Sequence, residues 1–215
     1  PKSDLGIFLP RESDYKRHPI SKLINQIAEN NVIIPIKKKT EGQAITCLFA
    51  KKHLLENKEL FIASCDYEHH FNFNKWNEIL EDKTIDGAVW TYRMKSGIIK
   101  NPSSFAYCQI NNDDQKTVVK IIEKKTISSN PENDPLVTGT FWLRQSKDIL
   151  YAIETMINED ILVNGEYYVG TSINQLIKKG KKIVIFDVNS WISYGDPFEL
   201  KIYEYWKDYF EQNTN

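Results

Sequence analysis

The chain has 215 residues, 41% hydrophobic and 12% aromatic, with 28 Lys and Arg set against 29 Asp and Glu. That length allows one large packed domain or two small ones, and the near-zero net charge excludes a general electrostatic nucleic-acid binder while leaving room for a local basic cleft that holds phosphate. Cys47, Cys65 and Cys108 are widely spaced and odd in number, which fits neither a zinc site nor a disulfide framework and points to a reduced, cytoplasmic protein; no apolar run approaches a bilayer span, and the polar first residues do not read as a signal peptide.

In chain order, Leu5-Gly-Ile-Phe-Leu within residues 4–12 is a short buried-strand pattern ended by Pro10. Ile20, Leu23, Ile24, Ile27 and Ala28 recur at helical spacing across residues 15–29. Asn30-Asn31 breaks that pattern before a strand over 32–36. The lysine run 37–39 leads through Thr40-Glu41-Gly42-Gln43 into a helix over 44–55, with Ile45, Leu48, Phe49 and Leu55 on one side. A third strand spans 60–65. The alternation of strands and helices predicts parallel strands with crossover helices.

The second half has a looser pattern. A helix is expected over 73–81 and a strand over 87–92. Strands over 105–110 and 117–122, joined by the polar turn 111–115, form a hairpin. The polar loop 128–135 precedes a strand over 137–143. Helices follow over 147–158 and 167–178, then a strand over 182–187 and a closing amphipathic helix over 198–210. Its stripe of Tyr203, Tyr205, Trp206, Tyr209 and Phe210 reads as core packing. No internal repeat or low-complexity stretch interrupts this order, and one domain over 1–215 is expected.

Several short motifs carry candidate chemistry. Asp66 stops an apolar run, and aspartate is disfavoured inside strands, so it belongs at a strand's C-terminal end, the edge where open α/β sheets bind ligands. The following Tyr67, Glu68, His69 and His70 add groups able to hold a metal or a proton. The two histidines face opposite ways if that stretch is extended, which argues against a shared ion. Gly42 and Gln43 open a helix directly after a strand, where unpaired N–H groups suit a phosphate or a base edge and glycine lets a flat ligand approach the backbone. Each also has a plain structural reading, as a turn cap and an ordinary helix start. Glu123 and Lys124 follow a strand and offer a carboxylate and an ammonium to a sugar hydroxyl and a phosphate; a solvated charge run is the ordinary alternative. Gly139, after Thr138, sits inside a β-rich run and marks either a bulge or a close approach by a ligand. Glu166 stands at a helix start, where the dipole alone favours it. Asp196 and Pro197 read as the cap and first residue of the last helix.

None of these is specific alone, but their order is. The series Thr-Glu-Gly-Gln-Ala, strand-Cys-Asp, Glu-Lys-Lys, Val-Thr-Gly-Thr-Phe-Trp-Leu, Asn-Gly-Glu-Tyr-Tyr-Val and Trp-x₃-Gly-Asp-Pro-Phe-Glu-Leu resembles the sugar-1-phosphate nucleotidyltransferases. The likeness is to glucose-1-phosphate thymidylyltransferase-like enzymes, divergent members of the capsule-biosynthesis type, and covers roughly residues 4–210. It implies an α/β fold, a three-layer α/β/α arrangement with a mixed, mostly parallel, GT-A-like sheet. It implies nucleotidyl transfer from an NTP to a phosphorylated acceptor, usually a sugar phosphate, with Mg²⁺ and pyrophosphate release. By the same resemblance Asp66 is the Mg²⁺-binding aspartate, Gly42 and Gln43 meet the nucleobase, and Glu123 and Lys124 contact the sugar and its phosphate. Thr138 and Gly139 line the sugar pocket, and Glu166 reaches a sugar hydroxyl. Asp66 and Lys124 are the catalytic candidates.

The sequence departs from the family pattern at two places. The opening strand and G-x-G-x-R loop are not found, and Pro1-Lys2 stands where a Pro-Lys pair is expected, so the chain reads as N-terminally incomplete. Ser193 occupies the position of a second metal-binding aspartate, with Asp196 three residues on and Glu68 and Glu166 as candidate replacements. These departures leave catalysis by this chain alone in question. They keep open a nucleotide-sugar-dependent glycosyltransferase, in which Asp66-Tyr67-Glu68 would be a D-x-D motif, and a non-catalytic nucleotide-binding homologue. The expected partners are an NTP and a phosphorylated small molecule, with no nucleic acid or membrane; a missing leading segment or a second copy of the chain would complete it.

Overall fold

The computed structural model describes residues 3–54, 58–94 and 101–213. In chain order the elements are β1 Gly6–Phe8, α1 Glu12–Arg17, α2 Ile20–Ile27, β2 Asn31–Ile33, α3 Gln43–Leu48, β3 Leu60–Ile62, β4 Tyr67–His70, α4 Phe73–Glu81, β5 Gly87–Tyr92, β6 Tyr107–Ile110, β7 Val118–Ile122, β8 Leu136–Leu143, α5 Ser146–Asn158, α6 Val169–Lys178, β9 Ile183–Asp187, β10 Ser190–Ser193 and α7 Pro197–Asn213. They fall into two compact units, one of residues 1–58 with 145–179 and one of residues 59–144 with 180–215.

In the first unit β1 and β2 pair in parallel, as the strand–helix–strand pattern requires. The helix expected over 15–29 is two helices. Pro19 disfavours helical backbone at the preceding residue, and His18 is extended at φ −119° and ψ 153°, closing α1 before α2 begins. Within α2 only Ile24 is buried, while Leu23 and Ile27 are exposed. The helix expected over 44–55 ends at Leu48 and gives way to a 3₁₀ turn, Lys51–His53; Leu55 lies outside the described residues, as does Pro1-Lys2. The unit's core comes from α5 and α6. Ile149, Ala152, Ile153 and Met156 on α5 and Val169, Ile173 and Leu176 on α6 are all at most 1% exposed. Their i, i+3, i+4, i+7 spacing turns one apolar stripe of each helix to the other.

The second unit is built on a six-stranded sheet, ordered β7-β6-β8-β5-β9 with β3 also on β8. β8 runs antiparallel to β3, β5 and β6, β7 is antiparallel to β6, and β9 is parallel to β5. Four strands therefore point one way, with β7 and β8 against them, which makes the sheet mixed with one prevailing direction. β5, buried from Gly87 to Thr91, is its apolar centre. Trp76, Trp90, Trp142 and Phe186 pack there with Ala88, Val184 and Val188, joined edge-on by Phe61 and Phe71. Asn72 caps α4 by accepting from the Asn74 and Lys75 amides, which explains why the helix starts where the pattern puts it.

Two short strands are not visible in the sequence pattern. β10 pairs antiparallel with β4, setting Trp191 opposite His69 and Ser193 opposite Tyr67. Residues 190–193 are thus a strand, because a segment more than a hundred residues away supplies the pairing. The stripe on α7 also differs from expectation. Tyr205, Trp206, Tyr209 and Phe210 are exposed rather than packed in the core, and Tyr203 alone of the five is half-buried, with its ring 4.8 Å from that of Tyr194.

Candidate functional site

In the second unit β3 ends at Ile62, so Asp66 lies in the link to β4 rather than on the strand itself. Tyr67 organises that link. Its hydroxyl accepts from the Ser64 amide at 2.8 Å and shares a 2.7 Å hydrogen bond with Thr140 Oγ1 on β8. Burial raises the phenol above its usual range, so it stays protonated and able to donate. Asp66 is thereby held with its side chain exposed. Its carbonyl accepts from the Tyr194 amide at 2.6 Å, which ties the link to the turn after β10. A Cβ on Gly195 would lie 3.2 Å from Asp66 Oδ2 and 3.6 Å from Ser193 Oγ. The Asp66 carboxylate and the Ser193 hydroxyl thus converge on one turn, and those are the two positions to which the resemblance assigns metal-binding aspartates.

The other carboxylates near this turn have local work. Glu68 accepts from the Tyr194 hydroxyl at 2.8 Å and meets His70 Nε2 at 3.3 Å. Asp196 accepts from the Phe198 amide at 2.7 Å and caps α7, as its place before Pro197 predicts. The strand character of β4 separates the histidines. His70 is exposed, whereas the His69 ring lies 4.7 Å from Tyr67 and 5.2 Å from Trp90. Burial pulls the His69 imidazole down to about 4, keeping it neutral at physiological pH, and its Nε2 has no hydrogen-bond partner among the described residues.

On β8 a bulge lies where Val89 pairs Phe141 but Thr91 pairs Val137. Gly139 sits in it at φ 87°, a conformation that side chains rarely adopt. A Cβ there would meet Tyr67 Cε1 at 3.1 Å. The close approach that the glycine predicts is thus made by a ring of this chain. Thr138 is buried and donates its hydroxyl to the Trp90 carbonyl at 3.1 Å, so its side chain serves the sheet. At the end of β7, Glu123 is half-buried, and burial pushes its carboxyl up to about 7 against the pull of Lys124. Lys124 takes a left-handed backbone at φ 54° and donates from Nζ to the Ser104 carbonyl at 2.5 Å.

In the first unit Gly42 precedes α3 at φ 115°. A Cβ there would lie 2.4 Å from the Tyr167 carbonyl oxygen and 2.7 Å from its nitrogen. Two hydrogen bonds lock this approach, from the Ala44 amide to Tyr167 O at 3.0 Å and from the Tyr167 amide to Glu41 O at 2.7 Å. The backbone of Tyr167 therefore accounts for the glycine and takes up one of the α3 amides that the sequence pattern leaves for a ligand. Gln43 is exposed. Glu166, adjacent in the chain to Tyr167, accepts from the Tyr168 hydroxyl at 2.7 Å and has Lys39 Nζ at 3.8 Å. Its partners are a phenol and an ammonium, and α6 starts only at Val169.

Among the described residues no cluster of three or more His, Cys, Asp or Glu is arranged to cage a metal ion. One exposed carboxylate and a hydroxyl suit Mg²⁺ in a different way, since that ion commonly uses one or two carboxylates and takes its other oxygens from substrate phosphates and water. The donor set at Asp66 fits an ion arriving with a polyphosphate and does not amount to a self-contained metal centre. No helix among the described residues is long and apolar enough to cross a membrane.

Neither a family model nor a curated protein matches this chain. Solved structures do. A nucleoside-diphosphate-sugar pyrophosphorylase from Vibrio cholerae RC9 aligns over 94% of this chain and 80% of its own, with a TM-score of 0.72 at 20% identity. The inositol-1-phosphate CTP transferase from T. maritima aligns over 94% and 75%, with a TM-score of 0.66 at 17% identity. A Bacillus anthracis structure assigned as a glucose-1-phosphate thymidylyltransferase, solved with sucrose, aligns over 91% and 73%, with a TM-score of 0.67 at 14% identity. The chain has the α/β fold of these nucleotidyltransferase structures, which is the fold the motif order implies. At such identities the likeness defines the fold, and the chemistry must be argued from the residues.

Proposed function

We propose that this protein transfers a nucleotidyl group from an NTP to a phosphorylated acceptor, a sugar phosphate by preference, and releases pyrophosphate. The observation that carries this reading is the exposed Asp66 carboxylate, held by Tyr67 and by the turn after β10 on a nucleotidyltransferase fold. The reaction brings an anionic phosphate toward an anionic α-phosphate, so charge neutralisation and positioning supply most of the rate. Asp66, with Ser193 beside it, would hold Mg²⁺ on the NTP phosphates. Bound there, the ion would offset the repulsion and stabilise the pyrophosphate leaving group. Lys124 would add a cation for the acceptor phosphate once it exchanges the Ser104 carbonyl for that ligand. Glu123, with its raised pKa, would present a carboxyl to a sugar hydroxyl. Gly139 with Thr138 would contribute backbone to the same pocket. Gly42, Gln43 and Glu166, in the first unit, have base and sugar roles by the resemblance alone, and at Gly42 the Tyr167 main chain already occupies the approach. A role in the precursor supply for a surface polysaccharide, in the cytoplasm, follows from the resemblance alone.

A second reading has its own support. Ser193 stands in place of a carboxylate, and Glu68 and Asp196 are both committed elsewhere. That arrangement favours a protein that binds nucleotide with Mg²⁺ but turns it over slowly or not at all. Calorimetric titration with each NTP, with and without Mg²⁺, and a pyrophosphate-release assay over a panel of sugar phosphates separate the two. Asp66→Asn should cost at least about 100-fold in turnover and abolish the Mg²⁺ dependence of binding while leaving the melting temperature unchanged. Binding without turnover selects the second reading; absence of nucleotide binding, or binding indifferent to Asp66→Asn, sinks both.

A further inference from the structure

α7 runs for 17 residues without burying one of them. Phe198, Ile202, Tyr205, Trp206, Tyr209 and Phe210 are 43–64% exposed, while the ring of Tyr203 touches Tyr194. At about 150–250 Å² for an aromatic side chain, six half-exposed groups present on the order of 600 Å² of apolar surface. That is the upper end of about 300–600 Å² for the largest apolar patch on a monomer, a size that is often functional, and a standard interface takes about 800 Å² from each partner. The pattern is specific as well as large. Phe198, Ile202, Tyr205 and Tyr209 are spaced four, three and four residues apart, the seam of a two-helix coiled coil. That spacing reads the same in both directions. A two-fold axis across the middle of the seam would set Phe198 against Tyr209 and Ile202 against Tyr205, as a self-complementary interface requires.

The charges choose the orientation. Lys201 and Asp208 flank the seam on one side, while Trp206 borders it on the other. Antiparallel pairing of two α7 helices places Lys201 of each copy beside Asp208 of the other, giving two opposite-charge pairs. Parallel pairing would instead bring Lys201 across from Trp206. We propose that α7 is a homodimerisation helix, whose partner is the antiparallel α7 of a second copy of this chain. This interface is independent of the nucleotidyl-transfer reading.

Sedimentation velocity and light scattering of the 215-residue chain over about 1–100 µM, which covers the weak end of the affinities such interfaces show, test the proposal. A species near twice the chain mass of 25.1 kDa is expected. Ile202→Glu, which puts a charge at the seam centre, should raise the dissociation constant at least about 100-fold, with far-UV circular dichroism unchanged. Lys201→Asp and Asp208→Lys should each weaken the dimer by up to about 10-fold, and the double exchange should bring it back within about threefold of the parent. A chain that stays monomeric across this range overturns the proposal, as does a dimer indifferent to Ile202→Glu. Failure of the double exchange to restore affinity overturns the antiparallel register.

Discussion

Gly42 in the first unit and Gly139 in the second both adopt left-handed backbone, and a tyrosine fills the space beside each. The difference lies in which part of the tyrosine does so. At Gly42 it is the main chain of Tyr167, 2.4 Å from where a Cβ would be and fixed by hydrogen bonds on both sides. At Gly139 it is the ring edge of Tyr67, 3.1 Å away, on a side chain that its hydrogen bonds to Ser64 and Thr140 hold at the hydroxyl end but whose ring can give by a small shift. A close approach that looks the same in sequence is therefore rigid in one place and adjustable in the other. Asp66, the residue on which the proposed chemistry rests, belongs to the adjustable arrangement.

The largest effect expected from this contrast is at Gly42. Gly42→Ala would drive a methyl into the Tyr167 carbonyl and should cost at least about 3 kcal/mol in urea unfolding, or prevent folding altogether. No second substitution can relieve it, because the clash is with backbone. A cost under about 1 kcal/mol would show that the Tyr167 main chain yields and that the contrast is false.

Next in size is a pH effect at the end of β7. The folded pKa of Glu123, about 7, lies above the 4.5 of an ordinary glutamate carboxyl. The folded state therefore holds a proton that the unfolded state has released between those values, and stability falls as pH rises through the window. The loss should reach about 2 kcal/mol by pH 7, and Glu123→Gln should flatten the slope. A parent protein whose unfolding free energy is constant from pH 4.5 to 7 would place the carboxyl in water.

Gly139→Ala should be the mildest, at about 1–2 kcal/mol, because only the positive φ is unavoidable and the ring can move. Combined with Tyr67→Leu, it should cost less than the two single changes added together, by about 0.5–1 kcal/mol. Strict additivity would mean that the ring does not crowd the bulge. On the proposed role of Asp66, Tyr67→Leu alone should also weaken Mg²⁺-dependent nucleotide binding in calorimetric titration, since the Ser64 amide and Thr140 hydroxyl lose the phenol that shapes the Asp66 link.

Much of this molecule is legible in its sequence. The apolar runs of β5 and β8, the helical stripes of α4, α5 and α6, and the Asp196-Pro197 start of α7 lie where periodicity and capping place them. Local residue chemistry suffices for such elements, because each depends on neighbours a few positions away. The order of the short motifs likewise carried the nucleotidyltransferase fold. The β4–β10 pairing was decided only by tertiary structure, because strands of four residues carry too little periodicity to be seen until a distant segment completes their hydrogen bonds. So was the identity of whatever fills the space beside Gly42, Gly139 and Gly195. A glycine announces that something comes close, but whether that is a ligand, a ring or a carbonyl depends on chain segments far away in sequence. The exposure of the α7 stripe had the same origin, since an amphipathic pattern shows that a helix has an apolar face and leaves open what covers it.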